Sequence, residues 1–194
     1  MKRLTAKGLG AILKKAECIE IDEEETLWSK GILGDHSPSS LLNTIFYMNG
    51  LYFALRSGKE HRQLRYSPCQ IKIIEKERQI PYLEFSEEIS KNNPGGLKGR
   101  KITPKVVKHY ANLEKPHHCF VRIFKKYNRL CPENRPSDAF YLKPMSKPRE
   151  DCWFTPVAVG HNTLRQMTKT MFKMGEIKGV KTNHSLQTTA ATRL

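Results

Sequence analysis

The sequence predicts an α+β fold, mostly α: a helical bundle carrying a small antiparallel β-sheet. Apolar residues recur at helical spacing in three separated stretches, around residues 41–55, 120–127 and 164–171. Two short β-like runs lie between the first and second of these, and a glycine-rich basic loop leads from them into a third strand. Hydrophobic residues make up 38% of the 194 positions and aromatics 9%, which is enough apolar surface to build one ordinary core rather than a disordered chain. The expected organisation is a basic N-terminal segment, residues 1–20, followed by one domain over 21–194.

The elements follow in chain order. Asp22 with Glu25 three residues on forms a capping-box pattern that opens a short helix through Trp28. "GDHSPSS" is a turn, and Pro38 suits the first turn of the next helix because its missing N–H has no partner to lose there. That helix, "LLNTIFYMNGLYFAL", is apolar on most sides and so expected to be buried. Asn43, Asn49 and Gly50 interrupt it short of the roughly 18 apolar residues of a membrane span. The runs "QIKIIE" and "IPYLEF", separated by "KERQ", read as a hairpin or two strands of one sheet. "SKNNPGGLKGRKI" is the loop toward the third strand. Phe120, Ile123, Phe124 and Tyr127 define a helix that "CPENRP" ends, and "FYLKPMSKPRED" reads as an extended, proline-punctuated connection. In "GHNTLRQMTKTMFKMGEI", Asn162 is the expected cap, Leu164, Met167 and Met171 form the apolar face, and Gly175 terminates. The chain closes on "TNHSLQTTAATRL", the first turns of a further helix, expected to expose an apolar side.

Charge is the most informative property of the composition. Lysine and arginine number 34 against 19 acidic residues, a formal net charge of +15. A chain this basic meets polyanions, and duplex DNA is the expected partner, with nuclear protein partners as the second class. The cations concentrate at Arg56–Arg65, Lys91–Lys108 and Arg165–Arg193, and the DNA-contacting set expected from them is Arg62, Arg65, Arg100, Lys101, Arg165 and Lys181. Charge alone would give only sequence-independent, salt-sensitive binding.

Five scattered cysteines, with no CxxC, indicate neither a disulfide framework nor a zinc knuckle. His117, His118 and Cys119 are adjacent, but immediate neighbours seldom ligate one ion together. No metal, small-molecule cofactor or membrane is expected. The basic start has no long apolar stretch or cleavage site, so secretion is not expected, and the cysteine pattern suits a reducing compartment, cytosol or nucleus, of which the nucleus is the expected one.

Motif order goes further than charge. "ALRSGKEHRQLRY", then a small sheet with a basic turn, then "NHSLQTTAAT" resembles the catalytic domain of the tyrosine recombinases (phage-type integrases). The family pattern is Leu-Arg-x-x-Glu at a helix end, a lysine in a β-turn, and His-x-x-Arg opening a later helix. "SPSSLLNTIFYMNGLYFALRSGKEHRQLR", "GGLKGRK", "AFYLKPM" and "GHNTLRQMTKTMF…TNHSLQTTAATRL" are similar to its crypton-derived branch, found in transposons and in zinc-finger MYM-type and glutamine-rich nuclear proteins. The resemblance implies a tyrosine hydroxyl attacking a DNA phosphodiester without metal, with protein cations stabilising the phosphoryl oxygens. Two arginines suit that task because a planar guanidinium donates to two oxygens at once, while a lysine and a histidine handle protons.

Carried onto this sequence, the resemblance implies Arg56 as the leading arginine, with Arg62 as the alternative because the spacing to Glu60 is one residue longer than the pattern. Lys98 is the turn lysine, with Lys101 and Lys91 as rivals, and His184 is the histidine of the later helix. Gln187 stands where the second arginine belongs, and losing one transition-state donor commonly costs on the order of 10²–10³-fold in rate. Tyr47, Tyr52, Tyr66 and Tyr110 precede the His184 motif and are in the wrong order for a nucleophile, and the chain ends before the family's nucleophilic tyrosine. The expectation is therefore a DNA-binding, recombinase-derived domain, incomplete at its C-terminus and catalytically inactive. The alternatives are a domesticated nuclear protein-interaction or transcription-regulatory module, and a fragment of an active transposon recombinase.

Overall fold

The computed structural model describes residues 16–86, 106–135 and 138–193. Among these the fold is α+β, with six α-helices, one 3₁₀ turn and two small antiparallel sheets. Helix α1, Ile21–Ser29, starts two residues earlier than the Asp22 pattern predicts. Its N-cap is Glu20, whose backbone N–H donates to Glu23 Oε2 at 2.9 Å, so Asp22 lies inside the first turn. Helix α2, Pro38–Tyr52, is the central element. Ser37 and Ser40 close its start reciprocally, the Ser40 N–H on Ser37 Oγ at 3.1 Å and the Ser37 N–H on Ser40 Oγ at 3.0 Å, with Pro38 in the first turn as expected. It packs against the helices that follow it on several sides, which is why the residues from Thr44 to Leu51 are all buried.

Helix α3, Gly58–Gln63, is capped by Ser57, whose Oγ accepts from the Glu60 N–H at 3.1 Å. The predicted strands follow: β1 (Ile71–Ile74), β2 (Tyr82–Ser86) and β3 (Val106–Tyr110) form one antiparallel sheet in sequence order. Register pairs Ile71 with Phe85 and Phe85 with Val107 on the inner face, and Ile74 with Tyr82 and Tyr82 with Tyr110 on the outer one. Helix α4, Phe120–Leu130, buries Phe120, Ile123, Phe124 and Tyr127, the residues whose spacing predicts it.

"FYLKPMSKPRED" departs from the expected connection. Its start is strand β4, Leu142–Pro144, paired antiparallel with β5, Phe154–Ala158, across an irregular register. Three prolines in and beside the hairpin mask the alternation that would have marked a strand, and the pairing partner lies ten residues away. β5 runs almost directly into α5, His161–Met174, so the cap is Gly160 and Asn162 is already helical, whereas Gly175 ends the helix as predicted. Helix α6, Asn183–Thr192, is capped by Thr182, whose N–H donates to Ser185 Oγ at 3.1 Å. Its expected exposed apolar side is not there: Leu186 is fully buried, and no large apolar side chain of α6 is exposed among the described residues.

The core is one aromatic-rich cluster built from Phe46, Tyr47, Phe120, Phe124, Tyr127, Phe140 and Phe154 with the aliphatic residues of α2 and α5. Ile19, from the expected N-terminal segment, also belongs to it and donates its backbone N–H to Thr189 Oγ1 at 2.8 Å. Two close approaches need glycine. A Cβ on Gly50 would stand 2.5 Å from Leu186 Cδ1, and one on Gly58 would stand 2.8 Å from the Arg165 Cα. The first lets α6 lie on α2, and the second lets α3 lie on α5.

Candidate nucleic-acid interface

The α3–α5 contact organises the exposed cations. Gly58 sits on the backbone of Arg165 in the first turns of α5, bringing α3 and its arginines alongside that helix. The start of α6 is fastened to the same stretch. Asn183 Nδ2 donates to the Leu164 carbonyl at 3.0 Å, and Thr168 Oγ1 donates to Asn183 Oδ1 at 2.8 Å. Gly58, two residues after Arg56, and Asn183, one before His184, are thus both anchored to residues 164–168 of α5 although they are far apart in sequence.

The individual placements differ. Arg56 is exposed, and Glu60 holds it twice: Nε lies 2.9 Å from Oε1, and the backbone N–H donates to Oε2 at 2.6 Å. An exposed i,i+4 pair of this kind is weak, so the guanidinium can be drawn to a competing anion at little cost. Arg62 and Arg165 are exposed, with no ion-pair partner among the described residues. Arg65 is exposed and 3.9 Å from Asp138 Oδ2. His184 is exposed at the second position of α6, and Gln187, a turn later, is half-buried. Lys91, Lys98, Arg100 and Lys101 lie outside the described residues, in the segment between β2 and β3.

Lys181 requires a correction. It is 5% exposed, with Nζ 2.9 Å from Glu23 Oε2, 3.8 Å from Glu17 Oε2, and donating to the Cys18 carbonyl. Its ammonium ties the α5–α6 turn to the start of α1 and does not face the open surface. A sequence scan counts its charge with its neighbours; burial against distant carboxylates removes it from that set.

Arg165 is joined by cations the sequence reading missed, Lys169, Lys173 and Lys59, which complete the surface. Arg165, Lys169 and Lys173 recur every fourth residue along α5, all exposed and without ion-pair partners among the described residues, and Lys59 on α3 is exposed nearby. The stripe spans about 12 Å at 1.5 Å per residue, close to the rise of three to four base pairs. Its signal was present in "LRQMTKTMFK", as the polar complement of Leu164, Met167 and Met171.

Beneath this face lies a neutral, buried layer. His61 of α3 is fully buried, stacks on Phe46 with ring centroids 3.9 Å apart, and shares a 2.8 Å hydrogen bond between Nδ1 and the Tyr141 hydroxyl. The same hydroxyl accepts from Asn49 Nδ2 at 2.8 Å. Burial pushes the His61 imidazole down to about 3, so it stays uncharged under the cations. Tyr47 is likewise buried and its hydroxyl is pushed well above the usual range, chiefly by burial and then by Glu24.

Among the described residues no three His, Cys, Asp or Glu side chains are arranged to hold a metal ion. His118 stacks on Trp28 with centroids 4.1 Å apart, and Cys119 is buried. No described helix is long and apolar enough to cross a membrane.

Residues 18–173 match the family described as "Domain of unknown function (DUF3504)". The chain is 31% identical over 159 residues to Zinc finger MYM-type protein 2 from Homo sapiens, covering 75% of this chain and 12% of that protein. It is 27% identical over 164 residues to the Transcriptional regulator QRICH1 from Homo sapiens, covering 80% of this chain and 21% of that protein. With Zinc finger MYM-type protein 3 from Homo sapiens the identity is 24% over 172 residues, covering 80% of this chain and 12% of that protein. The chain thus spans about a fifth or less of the length of these curated relatives. The family match ends before α6, so His184 and Gln187 lie beyond it. No solved structure matches the chain.

Proposed function

The chain belongs to the DUF3504 family, and we propose that it is a non-catalytic duplex-DNA-binding module of recombinase descent, working in a nuclear regulatory protein. The observation that carries this reading is the uncompensated cationic face of α3 and α5: Lys59, Arg62, Arg165, Lys169 and Lys173, all exposed. Such a face neutralises backbone phosphates and releases their counterions, giving affinity without sequence readout. The regulatory and nuclear setting is carried over from the relatives, one of which is named a transcriptional regulator. Recombinase descent rests on the motif order and on the anchoring of Gly58 and Asn183, the neighbours of Arg56 and His184, to one stretch of α5.

The absence of catalysis rests on residues present in the chain. Gln187 supplies at most one uncharged hydrogen bond where the resemblance implies a second arginine. Arg56 alone cannot balance the charge that develops on a phosphoryl group in flight.

Fluorescence anisotropy with a labelled duplex across a salt series tests the binding. Affinity should fall linearly on a log–log plot, and failure to bind duplex DNA at low salt would overturn the reading. A nicked suicide substrate should leave no covalent protein–DNA adduct. An adduct would restore the enzymatic alternative.

A further inference from the structure

A second basic region lies on α4, away from the face assigned to DNA. Arg122, Lys125, Lys126 and Arg129 recur at i, i+3, i+4 and i+7 and line a shallow cleft of about 370 Å³. All four lining residues are cationic. The cleft is built rather than incidental. Arg122 is fixed by three acceptors: Nε donates to the Pro116 carbonyl at 2.7 Å, Nη1 to Asp35 Oδ2 at 2.8 Å, and Nη2 to the His117 carbonyl at 3.1 Å. Lys126 Nζ donates to the Asp35 carbonyl at 2.6 Å, lies 3.2 Å from Asp35 Oδ2, and sits 5.1 Å over the Trp153 ring.

The cleft already shows what it holds. The Asp35 carboxylate bridges Arg122 and Lys126, and the Glu75 carboxylate pairs with Lys125. Burial alone would raise the Asp35 pKa, but the hydrogen bonds and charges of Arg122 and Lys126 outweigh it and hold the group below the usual range. Four cations therefore meet two carboxylates. Arg129 is exposed without an ion-pair partner among the described residues, and the Lys125–Glu75 pair is open to solvent on both sides, hence weak and exchangeable.

We infer that the α4 cleft binds a carboxylate-rich segment of a partner protein, with Lys125 and Arg129 as the donors and Arg122 and Lys126 as the fixed positive wall. The four cations span about 10 Å, the reach of three to four extended residues. Glu75 and Asp35 beside these cations repel the continuous phosphate line of a duplex, while the exchangeable donors accommodate discrete carboxylates. Glu75 acts as the internal competitor that an acidic segment displaces from Lys125. This inference does not depend on the DNA reading.

The experiment uses the full chain and a fluorescein-labelled oligoglutamate peptide, followed by anisotropy beside the labelled duplex. The peptide should bind in low salt. Lys125→Glu combined with Arg129→Glu should weaken it at least about tenfold while leaving duplex affinity unchanged. Glu75→Gln should tighten it about two- to fivefold by removing the competitor. Because that substitution introduces no like charge into α4, it carries the test even if the reversal variant loses structure. Absence of peptide binding, or binding indifferent to these three positions, overturns the inference. A loss of duplex affinity in the reversal variant comparable to that of an Arg165/Lys169 variant overturns it too, since the cleft would then be part of the nucleic-acid surface.

Discussion

Two basic regions among the described residues have similar numbers of cations but differ in counter-charge. On α3 and α5 the lysines and arginines stand in solvent with Glu60 as their main carboxylate neighbour, and it touches Arg56 alone. On α4 the cations line a cleft, and three of them are already paired with Asp35 or Glu75. An open cationic row suits a long polyanion that brings its own dense charge. A clefted cluster half neutralised by carboxylates suits a short acidic segment that exchanges one carboxylate for another. Net charge cannot separate these cases, because what distinguishes them is where the acidic residues fold.

The largest expected effect concerns the cation that belongs to neither region. Lys181→Ala removes one partner of a buried ion pair and leaves Glu23 without its nearest cation, which should cost on the order of 3 kcal/mol. Thermal denaturation should show a large fall in Tm, while the duplex affinity of the folded fraction stays at the parent value. Equal loss of DNA binding would move Lys181 back to the open face. Next comes Arg165→Ala with Lys169→Ala. Duplex affinity should drop at least about tenfold in low salt and the log–log salt slope should shrink by about 2, one unit per lost phosphate contact. Oligoglutamate binding should not respond.

Gly58→Ala probes the joint that builds the open face. The new Cβ would meet Arg165 backbone, which cannot yield as a flexible side chain does, so a cost of about 1–3 kcal/mol is expected. Duplex affinity should fall with it, and the α4 cleft should keep its peptide. The last of these effects is pH-dependent. His61 and His109 are pushed down to about 3 and about 4 by burial, from 6.5 when exposed. The unfolded chain then takes up protons the folded chain refuses, so stability is full above pH 6.5 and falls below it, by about 1.4 kcal/mol per pH unit for each group. Urea midpoints between pH 7 and pH 5 should show this slope, and His61→Gln should about halve it.

Much of the fold was legible because its signals are local. The turn and Pro38 that open α2, the apolar spacing of α4 and α5, and the three strands of the first sheet all follow from neighbouring residues. The β4–β5 hairpin was hidden by its prolines. The starts of α1 and α5 shifted because Glu20 and Gly160 sit where the chain leaves its preceding segment, a tertiary matter that capping patterns do not record. In the candidate site, Arg62 and Arg165 were legible as exposed cations, and Lys169 and Lys173 could have been found from the same periodicity. The fate of Lys181 could not, since Glu17 and Glu23 are nearly the whole chain away in sequence.

By itself, then, the sequence determined that this is a strongly basic, mostly helical domain with a small sheet, and it carried the motif order that resembles a recombinase. Only the tertiary structure decided which cations are available and to what. Helix periodicity places a lysine on a face, but neutralisation depends on carboxylates brought in from elsewhere in the chain. Electrostatic attraction falls with distance in space, not in sequence. The same residue type is therefore a buried tie at Lys181, an exposed cation at Lys169 and a partner of the Asp35 carboxylate at Lys126.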